Sequence, residues 1–185
     1  MRDEVVLLDD ARRPVGSMRR DRVHGAQTPL HLAFSCWIVG ADDRVLLTRR
    51  AVTKRTWPGV WSNSCCGHPR PGEDLAAAVE RRVAEELGLV ISPPSLVLPD
   101  FAYRAVDASG IVEHEVCPVF VARAAAEPVP DADEVAEWRW VAWGDVVTTA
   151  AAAPWALSPW SVLQVAQLSR APGWQLAATP QVGAR

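Results

Sequence analysis

The chain has 185 residues and a mass of 20.1 kDa, which suits one domain with a single hydrophobic core. Its charged fraction of 22% and hydrophobic fraction of 49% are close to globular averages and argue against a disordered chain. The formal net charge of -3 gives no support for nucleic-acid binding, because nucleic-acid binders carry basic patches. A local basic cluster remains compatible with a small anionic ligand.

The N-terminus contains charged residues from Arg2 onward and lacks the apolar segment and cleavage site of a secretory signal. No stretch approaches the ~18 consecutive apolar residues that span a bilayer. We therefore expect a cytoplasmic protein without a membrane partner, and a monomer as the default assembly. The cysteines show no zinc-finger or CxxC spacing, so we expect free thiols at Cys36, Cys65, Cys66 and Cys117.

The first half of the chain predicts strands separated by turns. Residues 5–8 form a short apolar run, and residues 32–39 are rich in aromatic and β-branched side chains that favour a strand. After a turn at residues 41–43, residues 44–48 are expected to form the hairpin partner. Residues 49–72 contain many prolines and glycines and predict an irregular segment.

A central helix is predicted over residues 74–87, because apolar side chains recur at four-residue spacing and Gly88 suits the left-handed position after a helix. Ser158 followed by Pro159 predicts the start of a terminal helix. Further strands are expected at residues 96–105, 111–122 and 137–141. These elements predict a single mixed α/β domain over residues 1–170, and the Pro, Gly and Ala content of residues 171–185 predicts a flexible tail.

The most specific segment runs from Gly67 to Leu89, GHPRPGEDLAAAVERRVAEELGL. Its glycine, glutamate, arginine and paired glutamates stand at the spacing of the Nudix box, with Arg82 in place of one glutamate. On helical spacing alone, a solvated acidic face with ion pairs four residues apart explains the same residues. The whole pattern resembles the Nudix superfamily, which implies an α+β sandwich with a mixed β-sheet flanked by helices.

Segments outside the box narrow the resemblance. The sequence TWPGVWSNSCCGHP stands before the box, DFAYRAVDASGIVEHEVCPVF follows it, and SPW lies near the C-terminus. Together they are similar to type I isopentenyl-diphosphate isomerases over roughly residues 5–170. The resemblance implies an isomerase of isoprenoid biosynthesis that interconverts isopentenyl and dimethylallyl diphosphate through a carbocation-like state. The motif Asn-x-x-Cys-Gly-His falls on Asn63, Cys66, Gly67 and His68, so Cys66 matches the catalytic thiol.

The same resemblance implies a metal site at His24, His31, His68, Glu113 and Glu115. The sequence supports the carboxylate pair independently, because Glu113 and Glu115 are two apart on a predicted strand and project from one face, whereas His114 projects from the other. Imidazole and carboxylate ligands together favour Mn²⁺, Zn²⁺ or Fe²⁺ over Mg²⁺. Each histidine taken alone is also compatible with a structural, hydrogen-bonded role.

A second ion, Mg²⁺, is expected between Glu86 and the substrate diphosphate, since Mg²⁺ binds carboxylates together with phosphates. Basic residues that match the family's anion site are Arg50, Lys54 and Arg82, with Arg20 where a lysine is usual. Arg20 keeps the charge but presents a planar fork in place of a point charge. Arg82 also removes an acid from the box, which favours gripping a diphosphate over assembling a hydrolytic metal cluster.

The isomerisation moves a proton without redox change or phosphate cleavage. Glu115 is expected to deliver the proton with the help of Tyr103, and the direct donor is either Glu115 or Tyr103. Cys66 is expected to act on the opposite face, and Trp160 to stabilise the cation with its π face. Two alternatives remain, namely a Nudix hydrolase of a diphosphate substrate and a non-catalytic domain that keeps the fold. A redox switch formed by Cys65 and Cys66 is a third, weaker interpretation.

Overall fold

The computed structural model describes residues 4–171, so the predicted tail at residues 171–185 lies outside the described part of the chain except for Ala171. In chain order the strands are β1 (Glu4–Leu8), β2 (Pro14–Arg19), β3 (His31–Leu32), β4 (Phe34–Val39), β5 (Val45–Arg50), β6 (Trp61–Ser62), β7 (Cys65–Gly67), β8 (Ser95–Leu98), β9 (Ala102–Val106), β10 (Val112–Val116), β11 (Val119–Arg123) and β12 (Val135–Val141). The helices are α1 (Arg20–Val23), α2 (Leu75–Leu87), α3 (Trp143–Ala152) and α4 (Pro159–Leu168), with a 3-10 turn at Pro154–Ala156.

The strands form two mixed sheets. A five-stranded sheet has the order β2-β1-β3-β10-β9, and a seven-stranded sheet has the order β12-β5-β4-β11-β8 with β6 and β7 beside β5 and β4. One pair in each sheet is parallel, namely β3 with β10 and β4 with β11. The expectation of a single α+β sandwich with a mixed sheet is therefore confirmed.

The seven-stranded sheet is covered by helices on both faces. Successive side chains of β4 point to opposite faces, so Phe34 and Ile38 pack with α2, whereas Trp37 packs with residues of α3 and α4. All three side chains are fully buried. The five-stranded sheet contributes Tyr103 to the core that contains Trp37. Because β4 is buried on both faces, its sequence is a nearly continuous apolar run.

Helix α2 has the ends that the sequence predicts. The Asp74 side chain accepts a hydrogen bond from the backbone N–H of Ala77 at 3.0 Å and caps the first turn. Gly88 adopts φ 63° and donates its N–H to the Ala84 carbonyl at 3.1 Å. Between these caps, Val79 and Val83 are fully buried against the seven-stranded sheet.

Three predicted strands are wrong as single elements, because each is divided between the two sheets. Residues 32–39 split into β3 and β4, residues 96–105 into β8 and β9, and residues 111–122 into β10 and β11. At one break Pro118 lacks an N–H, yet its carbonyl still accepts from Ser35 at 3.0 Å. Hydrophobicity continues through each break because both halves are buried, so the sequence pattern does not reveal the change of sheet.

The sequence did not predict several of the shorter strands and helices. Residues 49–72 are not wholly irregular, because β6 and β7 lie within them. Strand β2 and helices α1 and α3 were also not predicted. Helix α3 includes Val146, Val147 and Thr148, whose branched side chains favour strands, and its burial of Val146 overrides that propensity. Among the described residues, no helix combines the length and apolar character required to cross a membrane.

We expect Gly88→Ala to destabilise the protein more than Gly110→Ala. Both glycines have positive φ, 63° and 84°, and a left-handed conformation costs a non-glycine residue roughly 1–2 kcal/mol. A Cβ at position 88 would also lie 2.8 Å from the Val129 carbonyl oxygen, whereas position 110 has no atom within 4 Å. Urea unfolding of both variants measures the difference. Equal losses would show that the approach of Val129 does not constrain the end of α2.

Candidate active site

One cavity of about 690 Å³ collects side chains from both sheets and from three helices. Every site residue predicted from the sequence lines it except His31, which is fully buried behind it. The lining residues with predicted roles are Arg20, His24, Arg50, Lys54, Cys66, His68, Arg82, Glu86, Tyr103, Glu113, Glu115 and Trp160. Residues separated by more than a hundred positions in the chain thus share one site.

At the inner end of the cavity, three histidines surround a single carboxylate oxygen. Glu115 Oε1 lies 3.3 Å from Nε2 of His31, 3.3 Å from Nε2 of His68 and 3.8 Å from Nε2 of His24. The parallel pairing of β3 with β10 places His31 directly opposite Glu115. His24 follows helix α1, and His68 follows β7. These four side chains each present a ligand atom to a shared centre, with all the atoms within 4.8 Å of one another.

The geometry and hydrogen bonding of this group fit a divalent metal ion. Ligand bonds of about 2.1 Å in a tetrahedral shell separate neighbouring ligand atoms by about 3.4 Å, close to the observed spacings. Within residues 4–171, Nε2 of His24 and Nε2 of His31 are buried and form no hydrogen bond, which is costly for a polar atom that has no other ligand. The Pro29 carbonyl lies 2.9 Å from Nδ1 of His31, so that nitrogen carries the proton and leaves Nε2 free to coordinate.

The ionisation of this cluster also favours a cation. Burial lowers the pKa of His68 to about 4, so its imidazole is neutral at pH 7 and retains a lone pair. Burial opposes ionisation of Glu115, but the surrounding histidines outweigh it and hold the pKa of that carboxyl well below its usual value. Burial also opposes the charged form of His31, but the contacts of His31 with Glu115 act in the other direction and raise the pKa of that imidazole. An anionic carboxylate and a neutral imidazole are donors of many transition-metal sites.

Glu113 stands beside the four-residue group rather than within it. Its Oε2 accepts a hydrogen bond from Tyr103 Oη at 2.9 Å, and the same hydroxyl donates to Glu115 Oε2 at 2.9 Å. Antiparallel pairing of β9 with β10 places Tyr103 opposite Glu115. Burial, together with the charge of Glu115, raises the pKa of Glu113. Two neighbouring carboxyls thus have pKa values shifted in opposite directions, and Tyr103 connects them.

The adjacent cysteines point to different sides of their strand. Cys65 packs in the core beneath α2 and its thiol donates to Glu86 Oε2 at 3.5 Å, whereas Cys66 lines the cavity. Both thiols are free. Burial raises the pKa of the Cys66 thiol to about 12, although Ser35 and Asn63 each form a hydrogen bond with it that acts in the opposite direction. The alternation of side chains along β7 therefore distinguishes the two thiols.

Trp160 is 1% exposed and forms the aromatic side of the cavity. Its ring centre lies 5.5 Å from that of Tyr103 and 5.7 Å from that of Trp57. The Arg50 guanidinium stands 5.8 Å from the indole centre, within the range of a cation–π contact. Because α4 begins at Pro159, with Ser158 capping the helix, the first turn of α4 fixes the position of the indole.

A cluster of cations lines another part of the cavity. Arg82 pairs with Glu85, Glu86 and Glu134, and Lys54 pairs with Glu134. Burial lowers the pKa of Lys54 to about 8. Arg81 binds Glu73 and Glu85. The box carboxylates are therefore paired with arginines within the protein.

Sequence reasoning missed two residues of this site. Glu134, in the turn before β12, joins Lys54 to Arg82, and no local pattern in the sequence marks it. Gln164 is fully buried one helical turn after Trp160, where its amide binds Trp37 and Ser35. A glutamine at this spacing on the apolar face of a predicted helix is a readable signal.

Comparisons with known proteins place this site in a family. The NUDIX domain family matches residues 29–163. An isopentenyl-diphosphate Delta-isomerase of Frankia alni is 61% identical over 98% of this chain and 93% of its own length. A protein of the same name from Mycolicibacterium vanbaalenii is 58% identical over 90% of this chain and 92% of its own.

Solved structures support the fold. The DR0079 protein of Deinococcus radiodurans superimposes with a TM-score of 0.69 at 16% identity, covering 89% of this chain and 98% of that one. A MutT protein from Methanosarcina mazei gives a TM-score of 0.63 at 21% identity, covering 77% and 94%. With the near full-length match to the curated relatives, the chain belongs to the isopentenyl-diphosphate Delta-isomerase family, which is built on the Nudix fold.

Proposed function

We propose that this chain interconverts isopentenyl and dimethylallyl diphosphate by proton transfer at two carbons. The observation that carries the proposal is that one cavity holds a thiol, a carboxylate–phenol pair and an indole beside a cluster of cations. The cations suit the diphosphate, and the other groups suit the alkene. The proposal agrees with the names of the relatives from Frankia alni and Mycolicibacterium vanbaalenii, and it goes beyond them in assigning roles to residues.

Tyr103 and Glu115 are the groups proposed to protonate the terminal carbon of isopentenyl diphosphate. Tyr103 Oη lies 2.9 Å from Glu113 Oε2 and from Glu115 Oε2, so a proton passed from the phenol to the alkene is replaced by Glu113, whose raised pKa favours the protonated carboxyl. Burial raises the pKa of Tyr103 and keeps the phenol protonated, which retains its proton for transfer. Protonation leaves a tertiary cation, and loss of a proton from the carbon next to the diphosphate-bearing carbon then gives dimethylallyl diphosphate.

In its thiolate form, which the charge of Arg50 favours, Cys66 is proposed to take that second proton and become the thiol, and Trp160 to stabilise the cation between the two steps. A desolvated cation–π contact contributes roughly 2 kcal/mol or more. Trp160 is buried and packs against Tyr103 and Trp57, so few water molecules reach its face. Exclusion of water matters because water would capture the cation as an alcohol.

The diphosphate end is proposed to bind Arg50, Lys54, Arg82 and Arg20, and Glu86 would hold a Mg²⁺ ion that offsets the negative charge of the diphosphate. Arg50 contacts the Trp160 ring as a cation, so a diphosphate bound to its guanidinium would hold the short prenyl chain near the indole. Arg82 stands where the box has a glutamate and pairs with Glu85 and Glu86, so the chain offers one carboxylate fewer for a hydrolytic metal cluster. The hydrolase alternative therefore has less support.

The group of His24, His31, His68 and Glu115, with Glu113 nearby, is proposed to hold Mn²⁺, Zn²⁺ or Fe²⁺. When bound, such an ion fixes the imidazoles and makes the carboxylate network a stronger acid. Glu113 and Tyr103 then keep Glu115 oriented toward the cavity through their shared hydrogen bonds. A monomeric state and a cytoplasmic location remain predictions from the sequence.

Incubation with isopentenyl diphosphate, Mg²⁺ and Mn²⁺ in deuterated water tests the proposed function directly. We expect dimethylallyl diphosphate that carries deuterium, because the proton added to the alkene comes from groups that exchange with solvent. Deuterium NMR of the product measures its position, and a phosphate assay runs in parallel. Release of phosphate without isomer, or no change in the substrate, would refute the proposal.

We expect Cys66→Ala to lower kcat by about 10²–10⁴-fold, the usual contribution of a general acid or base. Cys65→Ala is the matched control, since its thiol lies on the α2 side of the same strand, and we expect it to keep most of the activity. Thermal unfolding of both variants separates loss of catalysis from loss of fold. Equal losses of kcat in two equally stable variants would contradict the assignment of Cys66.

We expect His24→Ala to lose bound divalent metal, whereas His114→Ala keeps it. His24 presents a buried nitrogen without a hydrogen-bond partner to the cluster, while His114 projects from the opposite face of β10. Metal content after dialysis against Mn²⁺, measured by plasma mass spectrometry, decides the matter. A His24→Ala protein with unchanged metal content would show that the ion, if bound, lies elsewhere.

A further inference from the structure

Asn63 lies in the two-residue segment between β6 and β7 and is 1% exposed. Its Nδ2 donates to the carbonyls of Cys36 and Cys65 at 3.1 and 3.0 Å. Its Oδ1 accepts from Trp160 Nε1 at 3.0 Å and from the Cys66 thiol at 3.2 Å. A single amide oxygen therefore contacts two side chains that come from β7 and α4.

The orientation of this amide is fixed by its partners. Backbone carbonyls only accept hydrogen bonds and an indole N–H only donates, so Nδ2 must face the carbonyls and Oδ1 must face Trp160. It follows that Cys66 meets an acceptor at Oδ1, and a thiol directs its proton there. Ser62 Oγ and Ser161 Oγ also lie 2.9 and 3.2 Å from Oδ1, so these hydroxyls share the two lone pairs of that oxygen with the thiol and the indole. Trp160 Nε1 also lies 3.0 Å from Ser62 Oγ, so its proton is shared between the serine and the amide.

A second chain of contacts reaches the same sulfur from α4. Trp37 Nε1 donates to Gln164 Oε1 at 2.9 Å, so the Gln164 amide must turn its Nε2 to Ser35 Oγ, at 2.8 Å. Ser35 thereby accepts from Gln164 and keeps its own proton for the Cys66 sulfur at 3.3 Å or the Cys117 sulfur at 3.4 Å. The Cys66 sulfur thus lies between an acceptor, Asn63, and a donor, Ser35.

We propose that Asn63 is a positioning residue that fixes the position of the Cys66 sulfur relative to the Trp160 ring. The inference rests on the proposed function and deepens it. It explains how a thiol on a three-residue strand and an indole on a distant helix contact the same short substrate. The aromatic face that stabilises the cation and the sulfur that exchanges the proton must be aligned at the same carbon, and one oxygen in contact with both side chains holds them in that alignment. Asn63 itself does not line the large cavity, so its action is through Cys66 and Trp160.

The test compares Asn63→Ala with Ser64→Ala, a matched control. Ser64 is the next residue, equally buried, and its hydroxyl joins Ile38 N and Leu46 O without contacting Cys66 or Trp160. Each variant is assayed with ordinary isopentenyl diphosphate and with substrate deuterated at the carbon that loses the proton. The ratio of these two kcat values is the deuterium isotope effect on kcat. It does not depend on the fraction of folded enzyme, so a purely structural defect leaves it unchanged.

For Asn63→Ala we expect kcat to fall about 10- to 100-fold, KM to change less than about 3-fold, and the isotope effect on kcat to increase. Misalignment of the thiol slows the deuterium-sensitive step, whereas the diphosphate contacts are untouched. For Ser64→Ala we expect the isotope effect of the wild type. An unchanged isotope effect in Asn63→Ala, or equal increases in both variants, would overturn the proposal.

If Asn63→Ala does not fold, Ser161→Ala replaces it. Ser161 Oγ accepts from Asn63 N at 2.9 Å and donates to Asn63 Oδ1, so its loss loosens the amide without removing the oxygen. We then expect a smaller loss of kcat with the isotope effect increased in the same direction, and an unchanged effect would overturn the proposal. A wild-type protein that does not turn over isopentenyl diphosphate would instead refute the proposed function.

Discussion

The buried carboxylate of Glu115 is the group on which the organisation of this site depends. One of its oxygens faces three histidine nitrogens and the other accepts from Tyr103. A carboxylate this deeply buried needs partners on both oxygens, because an isolated buried charge is strongly unfavourable. The parallel pairing of β3 with β10 and the antiparallel pairing of β9 with β10 supply His31 and Tyr103 directly opposite it. Sheet register therefore sets the chemistry of this end of the cavity.

The box helix shows how one fold serves a different reaction. Arg82 forms ion pairs with Glu85 and Glu86 from within the same helix, so two box carboxylates are already compensated. Glu134 adds a third carboxylate to Arg82 and holds Lys54 as well. The cations are thus held in place by the protein before a diphosphate arrives. Preorganised charge of this kind reduces the ordering cost of binding an anion.

The sequence predicted interactions between residues that are close in the chain better than interactions between residues that are distant in it. Local signals predicted α2 correctly, since Asp74 and Gly88 are caps that act within one turn. The alternation of Glu113 and Glu115 on a strand is likewise local, and the structure places His114 on the other face. The change of sheet at Pro118 was missed because both halves of the segment are buried. The contacts of Glu134 join distant parts of the chain and leave little local signature. Gln164 also contacts a distant residue, but its position on the apolar face of α4 is a readable signal.

The roles of α4 and β7 also depend on contacts between residues that are distant in the chain. A short strand such as β7, with three residues, has little stability of its own, and its cysteines take their positions from what surrounds them. Cys66 is tied to Ser35 on one side and to Asn63 on the other, and both of these residues lead to α4 through Gln164 and Ser161. The terminal helix therefore does more than cover the core. It supplies Trp160 and both chains of hydrogen bonds, and it thereby determines the position of the thiol relative to the aromatic face. This explains why the inner face of α4 carries three buried polar or aromatic residues, Trp160, Ser161 and Gln164, where a merely structural helix would carry aliphatic ones.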